Sequence, residues 1–287
     1  MQIDLFGKKR YKVNLHTHTT LSDGKKTPAE AVQEYRANGY DAIALTDHWF
    51  YGEGEETPDF TILSGMECNV GDPDARNGVY HIVCVGSRQA PAVKKDMPPQ
   101  KVINAIRAAG GLAILAHPAW SLNTPEEILK LQGFHATEIY NSVSGVHMSR
   151  RADSSLIVDM LAMRGCCFPL IAADDAHYYD NDSCKSWIMV EAEDNAREYL
   201  IPAIRNGRFY ATQGPEIHLT REGDEFVVTC SPVSEIVFHS NFVWSRRVFE
   251  GDGLTEARYT LRPGECFVRA EVTDRDSKRA WSRIIPV

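Results

Sequence analysis

The chain has 287 residues and a formal net charge of −8, with 43% hydrophobic and 24% charged residues. These proportions are ordinary for a globular protein, and a chain of this length can bury a substantial core in one large domain or two smaller ones. The acidic balance lacks the basic stripe of a general nucleic-acid binder, which argues against stable nucleic-acid binding. Bound cations can nevertheless invert the charge of a pocket and admit a nucleotide or an RNA end.

Cysteine usage and hydropathy bear on location. The seven cysteines are odd in number and form no C-x-x-C motif, a pattern that favours free thiols in a reducing compartment. Residues 1–12 lack the apolar core of a signal peptide, and there is no run of about 18 apolar residues that would predict a membrane span. We therefore expect a cytoplasmic protein without membrane contact, and the sequence favours no particular oligomeric state.

Strand and helix patterns alternate from residue 11 to about residue 210. Predicted helices begin at capping or proline positions and stop at glycines. Strands are predicted over residues 13–18, 41–48, 60–70, 79–86, 112–117, 136–141 and 167–173, with a further short strand at 187–190. Helices are predicted over residues 28–39, 99–109, 124–133, 149–164 and 195–206. Strands separated by helices imply βαβ units, and about seven units favour a closed or nearly closed β/α barrel over an open sheet.

The pattern changes after Gly214-Pro215. Helical periodicity disappears, and seven short β-like runs alternate with turn signals such as Glu222-Gly223-Asp224. We predict a first domain over residues 1–214 and a small β-sandwich of immunoglobulin-like type over residues 215–287. The runs on either side of Asp274–Lys278 resemble a closing hairpin.

Metal-ligand residue types recur at the predicted strand ends. They are His16, His18 and Asp23, then Asp47-His48, Glu67, His81, His117 and Asp174-Asp175 with His177. A lone histidine on a strand is usually a structural residue, but this set holds six of the ten histidines. Strand side chains alternate, so both imidazoles of the H-x-H motif can reach one ion, and the strand ends of a barrel meet at one mouth. His81 departs from the rule, because it lies near the start of its strand. His135, His147, His218 and His239 lie outside the pattern and are interpreted as non-ligands.

The motifs HTHTTLSDG, LTDHW, GMECN, LAHP and DDAH occur here in the order typical of the PHP (polymerase and histidinol phosphatase) superfamily, which the chain resembles over about residues 11–215. The segment RNGRFYATQGP at 205–215 also resembles the one that closes the domain in bacterial members. The resemblance implies a distorted β/α barrel of seven strands with a metal cluster at its mouth. It further implies a stand-alone metal-dependent phosphoesterase with an added β-rich domain.

The resemblance also implies a ligand arrangement for up to three divalent ions. The first ion would be bound by His16, His18, Glu67 and Asp175, the second by Glu67, His81 and His117, and the third by Asp23, His48 and His177. Some relatives have histidine where Asp23 stands, which leaves the occupancy of the third site open. Asp174 is an alternative to Asp175, and Asp47 and Asp174 are candidates for orienting the histidines. Asp175 and His177 are also expected to take part in catalysis.

The expected reaction is hydrolysis of a phosphomonoester or phosphodiester, such as a nucleotide or sugar phosphate, by attack of a metal-bridging hydroxide. Mixed nitrogen and oxygen ligands favour Mn, Zn or Fe over Mg or Ca. Three carboxylates against three divalent ions leave a positive pocket that suits a small phosphate ester. Two alternatives remain: a metal-dependent hydrolase of carbamates, amides or carboxyl esters, and a binding module that has lost catalysis.

Basic and aromatic residues near these motifs are candidates for substrate binding. Arg76, Arg150 and Arg151 could each bind a phosphate through the guanidinium fork, although solvated surface arginines are more common. The aromatic residues of 49–51 and 178–179 either stack on a nucleobase or pack at the barrel rim.

Overall fold

The short apolar runs of the first 214 residues become strands connected by capped helices. The structure is a computed structural model, and it describes residues 1–72, 78–244 and 246–287. The strands are β1 (Gln2–Ile3), β2 (Lys9–Asn14), β3 (Ala42–Ala44), β4 (Glu55–Thr57), β5 (Phe60–Leu63), β6 (Gly65–Gly71), β7 (Val79–Val85), β8 (Leu112–Leu115), β9 (Ala136–Asn141), β10 (Leu170–Ala173), β11 (Trp187–Glu191) and β12 (Phe209–Thr212). The helices are α1 (Pro28–Ala37), α2 (Pro99–Ala108), α3 (Pro125–Ile128), α4 (Ser142–Val146), α5 (Ser155–Ala162) and α6 (Arg197–Arg205).

Local sequence signals explain where α1 begins and ends. The Oγ1 atom of Thr27 accepts a hydrogen bond from the backbone N–H of Glu30, whose carboxylate accepts one from the backbone N–H of Thr27. This capping box, with Pro28 as the first helical residue, satisfies backbone N–H groups that a helix start leaves unpaired. Gly39 follows the helix at φ 75°, a left-handed conformation that favours glycine. The prediction for this helix is confirmed.

The helix predicted over residues 149–164 is shorter than expected. Helix α5 starts only at Ser155, because Arg150 has a φ of 61° and Asp153 forms a bridge with Tyr140. The preceding segment instead contains the short helix α4, which starts directly after β9. The N-cap of α4 is Asn141, whose Oδ1 accepts a hydrogen bond from the backbone N–H of Ser144.

The strands of this region are divided between two sheets. Strands β2, β3 and β5 pair in parallel in the larger sheet, and β8, β9 and β10 pair in parallel in a five-stranded sheet. Strand β7 is antiparallel to both β6 and β8, and only residues 72–78 separate it from β6 along the chain. The mixed α/β class is confirmed. The pairing described here is not one continuous ring, so the seven-stranded barrel stays a prediction.

Isolated bridges connect the edges of the two sheets. Thr17, just beyond β2, pairs with Ala176 beyond β10, and His48, beyond β3, pairs with Glu67 on β6. Apolar side chains from both sheets share one buried core that includes Val13, Ala44, Val83, Ile114 and Ile171. The chain segments that carry the candidate ligands therefore surround one edge of a common core.

The reversed direction of β7 accounts for His81. This residue lies near the start of β7, opposite Asn69 near the end of β6. In an antiparallel pair the start of one strand lies beside the end of the other. His81 thus reaches the same edge as the ligands that follow the parallel strands, and the explanation is the strand's direction rather than a shifted boundary.

Residues 215–287 contain strands and no helix among those described. The strands are β13 (Ile217–Glu222), β14 (Glu225–His239), β15 (Val248–Thr260), β16 (Phe267–Thr273), β17 (Arg279–Trp281) and β18 (Ile285–Pro286). Two long strands, β14 and β15, replace four of the short strands predicted. Gly251-Asp252-Gly253 was predicted as a turn but lies inside β15, where the pairing with β14 shifts in register. The hairpin around Asp274–Lys278 forms between β16 and β17. The sandwich arrangement itself stays a prediction.

The β-rich tail is joined to the first region through both pairing and charge. Strand β17 pairs with β12, so β13–β17 belong to the larger sheet, and Trp281 is buried in the core of the first region. The buried guanidinium of Arg269 donates to both carboxylate oxygens of Asp159 on α5, at 2.5 and 2.8 Å. The domain boundary at residue 214 remains a prediction that these contacts do not decide.

Candidate metal centre

Beyond the last ladder residue of β2, the chain continues between two neighbouring segments. The backbone N–H of His18 donates to the carbonyl of Ala176 (3.0 Å), and the carbonyl of His16 accepts from the backbone N–H of Asp175 (2.9 Å). The strand thus ends four residues before the predicted position, yet His16 and His18 still project to the same side. Both are buried, at 1% and 0% exposure.

A first group of donor atoms lies around these two histidines. Nε2 of His16 lies 3.3 Å from Oε2 of Glu67 and 3.1 Å from Oδ1 of Asp175. Nε2 of His18 lies 3.1 Å from the same two oxygens, and 3.2 Å from Nε2 of His16. The structure therefore brings together all four residues predicted for the first ion.

The spacing of this group suits a first-row transition metal. Ligand atoms about 2.1 Å from a four- or six-coordinate ion lie roughly 3.0–3.4 Å from one another, which is the range found here. Oδ1 of Asp175 is buried and makes no contact of hydrogen-bond geometry with the described residues, despite its proximity to the two imidazoles. A buried carboxylate oxygen without a donor is costly, and a cation would satisfy it. The residues fit a divalent ion.

A second group adjoins the first through Glu67. Oε1 of Glu67 lies 2.8 Å from Nδ1 of His81 and 3.6 Å from Nε2 of His117, and Oε2 lies 3.2 Å from Nδ1 of His48. The donor atoms of His48, Glu67 and His81 form the closer set. His48 was predicted for the third ion, so its position between Glu67 and Asp23 is a difference from the expected arrangement. Nδ1 of His48 is a second buried polar atom without a hydrogen-bond partner among the described residues.

A third group is more exposed. It consists of His18, Asp23, His48 and His177, with 3.5 Å between Nε2 of His177 and Oδ1 of Asp23. The side chain of Asp23 is 55% exposed, and its other oxygen lies 3.9 Å from Nε2 of His48. The residues predicted for the third ion therefore lie together, and His18 is also part of this group. Its donor atoms lie farther apart than those of the first group and are more exposed to solvent.

The structure decides between the two adjacent aspartates. Asp175, at φ 53°, turns its carboxylate into the cluster, whereas Asp174 points away from it. The Asp174 carboxylate accepts hydrogen bonds from the Tyr35 hydroxyl (2.8 Å) and the Ser142 hydroxyl (3.2 Å). It also accepts three from the backbone N–H groups of residues 184–186. Asp174 thus anchors a loop, and its alternative role as a ligand is excluded by its direction.

Asp47 likewise holds a loop, and among the described residues its carboxylate accepts no hydrogen bond directly from a histidine. Its carboxylate accepts hydrogen bonds from the backbone N–H and the hydroxyl of Thr19, and from the hydroxyl of Ser22. These contacts fix the segment that carries Asp23. The prediction that Asp47 orients a histidine has only indirect support, because Ser22 lies between the Asp47 carboxylate and Nδ1 of His18, 3.4 Å from the Ser22 hydroxyl.

Burial and charge act against each other on the pKa values of the cluster. Burial lowers the pKa of His18, but the neighbouring carboxylates of Asp175 and Glu67 outweigh it and raise this pKa to about 9. Burial would raise the pKa values of Glu67 and Asp175, yet the neighbouring imidazoles hold both well below the ordinary range. The carboxylates are therefore ionised, which is the form that binds cations.

The groups open into a small cavity of about 150 Å³. The ligands that line it are Asp23, His48, Glu67, His81, His117, Asp175 and His177, and the other lining residues are Trp120, Val143, Ser144 and Met148. The Trp120 ring meets the rings of His117 and His81 edge-on, at 5.0 and 5.5 Å between centroids. The cavity is thus lined by ligand residues together with a few mainly apolar side chains.

The aromatic residues expected at the mouth are mostly committed to packing. The indole of Trp49 donates to Oδ1 of Asn69, the Tyr51 hydroxyl donates to the carbonyl of Ser87, and the buried Tyr179 donates to the carbonyl of His18. Phe50 and Tyr178 are exposed at 44% and 40%. Rim packing is therefore the better interpretation for three of the five, and Trp120 is the aromatic residue that lines the cavity.

Two of the three predicted phosphate-binding arginines, Arg150 and Arg151, do not line this cavity. Arg150 and Arg151 are exposed, and Arg150 donates to the carbonyl of Gly145. Neither is among the described residues that line the cavity. Arg76 lies outside the described residues. The substrate-binding prediction for Arg150 and Arg151 has no support from their positions, because both side chains project into solvent.

Of the four histidines interpreted as non-ligands, two belong to groups of three described residues whose donor atoms all lie within 4.8 Å of one another. His147 lies near Asp180 and Asp182, and His218 near Asp4 and Glu216. Backbone N–H groups already occupy Asp182 and Asp4, and Glu216 accepts from the backbone N–H of Leu5. Hydrogen bonding within the chain accounts for both groups.

Comparison with known proteins places this site in a family context. The model of the PHP domain family matches residues 14–112, a segment from β2 to the start of β8. The chain contains a PHP domain. The matched part of the PHP domain holds six of the nine predicted ligands, and the other three, His117, Asp175 and His177, follow it.

Solved structures extend the comparison. The fold is similar to that of a two-domain protein from Bacteroides vulgatus that contains a predicted PHP-like metal-dependent phosphoesterase. The TM-score is 0.58 at 17% identity, over 100% of this chain and 97% of that one. An amidohydrolase from Chromobacterium violaceum (17% identity, 59% of this chain and 89% of that one) has a TM-score of 0.45. A lesion-specific endonuclease from Pyrococcus furiosus (15% identity, 69% and 56%) has a TM-score of 0.46.

At these identities the B. vulgatus protein supports the fold alone, and the two lower TM-scores carry no weight. None of the curated proteins searched matches the chain. Among the described residues, no helix has both the length and the hydropathy of a membrane span.

Proposed function

We propose that this chain is a metal-dependent phosphoesterase that hydrolyses a small phosphomonoester or phosphodiester. One observation carries the proposal: seven of the nine predicted ligands line one cavity, and the other two, His16 and His18, lie 3.1–3.3 Å from the carboxylates of Glu67 and Asp175. The partner is a small phosphate ester, because a cavity of about 150 Å³ admits a phosphate group with only a small part of a larger molecule.

The ligands would hold two or three divalent ions. His16, His18, Glu67 and Asp175 would hold the first, and Glu67 would connect it to a second held by His81 with His48 or His117. Asp23 and His177 would complete a third site. Nitrogen and carboxylate donors suit Mn, Zn or Fe. When bound, such ions lower the pKa of water and neutralise charge on a phosphoryl group.

The chain itself orients the reacting groups. Nδ1 of His177 lies 2.7 Å from the carbonyl of Asp175, a hydrogen bond that leaves Nε2 directed to Asp23 and the cavity. When the third site holds no ion, His177 would hold or pass a proton at Nε2 as the leaving oxygen departs. The indole N–H of Trp120 makes no hydrogen bond within the described residues, and it would donate to the bound ester.

Phosphate is favoured over a neutral carbonyl substrate by charge. Glu67, Asp175 and Asp23 contribute three negative charges, fewer than those of two or three divalent ions, so the loaded pocket is positive. A phosphate dianion gains most from such a pocket. Carbamates, amides and carboxyl esters remain the alternative class, since paired ions also polarise a carbonyl group.

The decisive experiment combines metal analysis with a substrate panel. The protein is purified without added metal, its metal content is measured, and it is assayed with Mn, Zn or Fe. The panel contains phosphomonoesters, phosphodiesters, aryl carboxylates and carbamates. Turnover of phosphate esters that is lost in His16→Ala supports the proposal. Faster turnover of carboxylates or carbamates would establish the alternative, and a metal-free, inactive protein would refute both.

A further inference from the structure

A buried acid outside the ligand set lies directly behind the first group of donors. Glu138 is in the middle of β9, between β8 and β10, and is 1% exposed. It does not line the cavity of the metal centre. A buried carboxylate is costly unless it is well supplied with donors, so its partners indicate what it is for.

Three donors converge on Glu138, and each belongs to the metal centre or its support. Nδ1 of His16 lies 2.7 Å from Oε1. The backbone N–H of His117 donates to Oε2 (2.9 Å), and so does Nδ2 of Asn141 (2.8 Å).

The same Nδ2 of Asn141 also lies 3.1 Å from Oδ2 of Asp175. Glu138 is thereby connected to ligands that follow three different strands: His16 after β2, His117 after β8 and Asp175 after β10. Two of these, His117 and Asp175, have left-handed backbones, with φ values of 26° and 53°. Such conformations in non-glycine residues persist only where the surroundings hold them, and the contacts of Glu138 and Asn141 do so here.

We propose that Glu138 is a positioning residue that sets the geometry of the metal centre without binding an ion. Its Oε1 keeps the proton of His16 on Nδ1, and this leaves the lone pair of Nε2 free to face Glu67 and Asp175. Its Oε2 holds the backbone of His117 and, through Asn141, the carboxylate of Asp175. A carboxylate–histidine pair of this kind raises the basicity of a ligand and fixes its orientation. The inference rests on the proposed metal ligands.

Only a carboxylate satisfies all three donors. A glutamine amide has one oxygen and one NH₂ group, so in Glu138→Gln either His16 or the pair of His117 and Asn141 would face a donor. The variant is nearly isosteric and therefore tests hydrogen bonding rather than packing.

The test measures affinity for Zn²⁺ and for Mn²⁺ by calorimetry, starting from the metal-free protein, for wild type and Glu138→Gln. We expect affinity to fall about 10- to 100-fold. With Co²⁺ as a spectroscopic probe, the d–d absorption should change in position or intensity. Thermal unfolding of the metal-free proteins is recorded in parallel, so that lost affinity is separated from lost folding.

Glu265→Gln is the matched control. Glu265 is also a buried carboxylate with several donors, among them the Tyr259 hydroxyl and the backbone N–H of Arg262, but it lies in the β-rich tail. Its substitution should alter thermal unfolding and leave metal affinity unchanged. Equal loss of affinity in both variants would show that Glu138 acts through general stability, and this would overturn the proposal.

The remaining outcomes are also decisive. Wild-type affinity in folded Glu138→Gln contradicts the role of Glu138 and leaves the metal site intact, whereas wild-type protein that binds neither ion contradicts the proposed function itself. If Glu138→Gln does not fold without metal, Glu138→Asp is tested in its place, because aspartate keeps the negative charge on a shorter side chain. The metal concentration that restores the folding of a variant then reports the metal affinity of that variant, because binding and folding are linked. A metal affinity equal to that of wild type refutes the proposal.

Discussion

Nε2 of His16 and Nε2 of His18 face each other at 3.2 Å, although both rings are buried. Nδ1 of His16 is paired with Glu138, so its Nε2 presents a lone pair towards His18. Two nitrogen atoms at this distance, with Oε2 of Glu67 and Oδ1 of Asp175 close by, need a proton or a cation among them. This contact determines the first prediction.

His16→Ala or Asp175→Ala should reduce turnover by more than about 100-fold, because loss of a direct ligand exceeds the usual 10- to 100-fold effect of its supporting residues. The fold should persist, since both side chains lie at the edge of the core rather than inside it. Steady-state kinetics and circular dichroism on the same samples check both parts. Turnover near the wild-type rate in either variant would contradict the ligand assignment.

Removal of metal should abolish activity reversibly. A strong chelator competes with the three donor groups, and dialysis followed by Mn, Zn or Fe should restore turnover. Activity and metal content are measured at each stage. Full activity after prolonged chelation, with no metal left in the sample, would exclude a metal-dependent reaction.

Gly24→Ala should disturb the third group of donors without removing a ligand. A Cβ atom at position 24 would lie 2.3 Å from the carbonyl oxygen of His18, so the loop that carries Asp23 would have to move. We expect fewer bound ions or weaker binding of the last ion, measured by metal titration. Gly214→Ala is the control, because its Cβ would meet only the flexible Lys278 side chain at 3.4 Å. Unchanged titrations for Gly24→Ala would mean that the loop tolerates the displacement.

Trp120→Ala should change substrate preference more than metal binding. The indole lines the cavity and makes no hydrogen bond to a ligand atom, so its loss removes an apolar surface from the bound ester. We expect kcat/KM to fall about tenfold or more for aryl phosphates and less for small alkyl phosphates. A uniform decrease for both classes would show that Trp120 supports the site rather than selects the substrate.

Stability should fall in acid partly through His135. Burial, together with the nearby Arg107 and Arg205, lowers the pKa of His135 to about 4 from an ordinary value of 6.5. The unfolded chain therefore binds a proton between pH 6.5 and 4 that the folded chain does not, so the stabilisation is complete above pH 6.5 and is lost as the pH falls through this window. Denaturant unfolding from pH 7 to 4 should show a shallower decline for His135→Gln than for wild type. Identical slopes would contradict this assignment.

Much of the site could be predicted from residue types and order. The alternation of strands places His16 and His18 on one side, and ligand types after successive strands predict a common edge, which the structure shows for all nine. The change of pattern after Gly214 also predicts strands without helices, and the described residues of 215–287 contain strands and no helix. These features follow from local periodicity and from the rule that strand ends meet, and both are properties of the chain itself.

Other features depend on which segments pair, and only the tertiary structure decides them. The direction of β7 brings His81 to the ligand edge, and the left-handed backbone at Asp175 selects it over Asp174. In the sequence, Glu138 is distinguished only as an acidic residue in an apolar strand. Trp120 is distinguished only by its closeness to His117. The tail joins the larger sheet through β17, about 70 residues after β12. Such choices are made by hydrogen bonds and packing between distant segments, whose energies are absent from any local stretch of sequence.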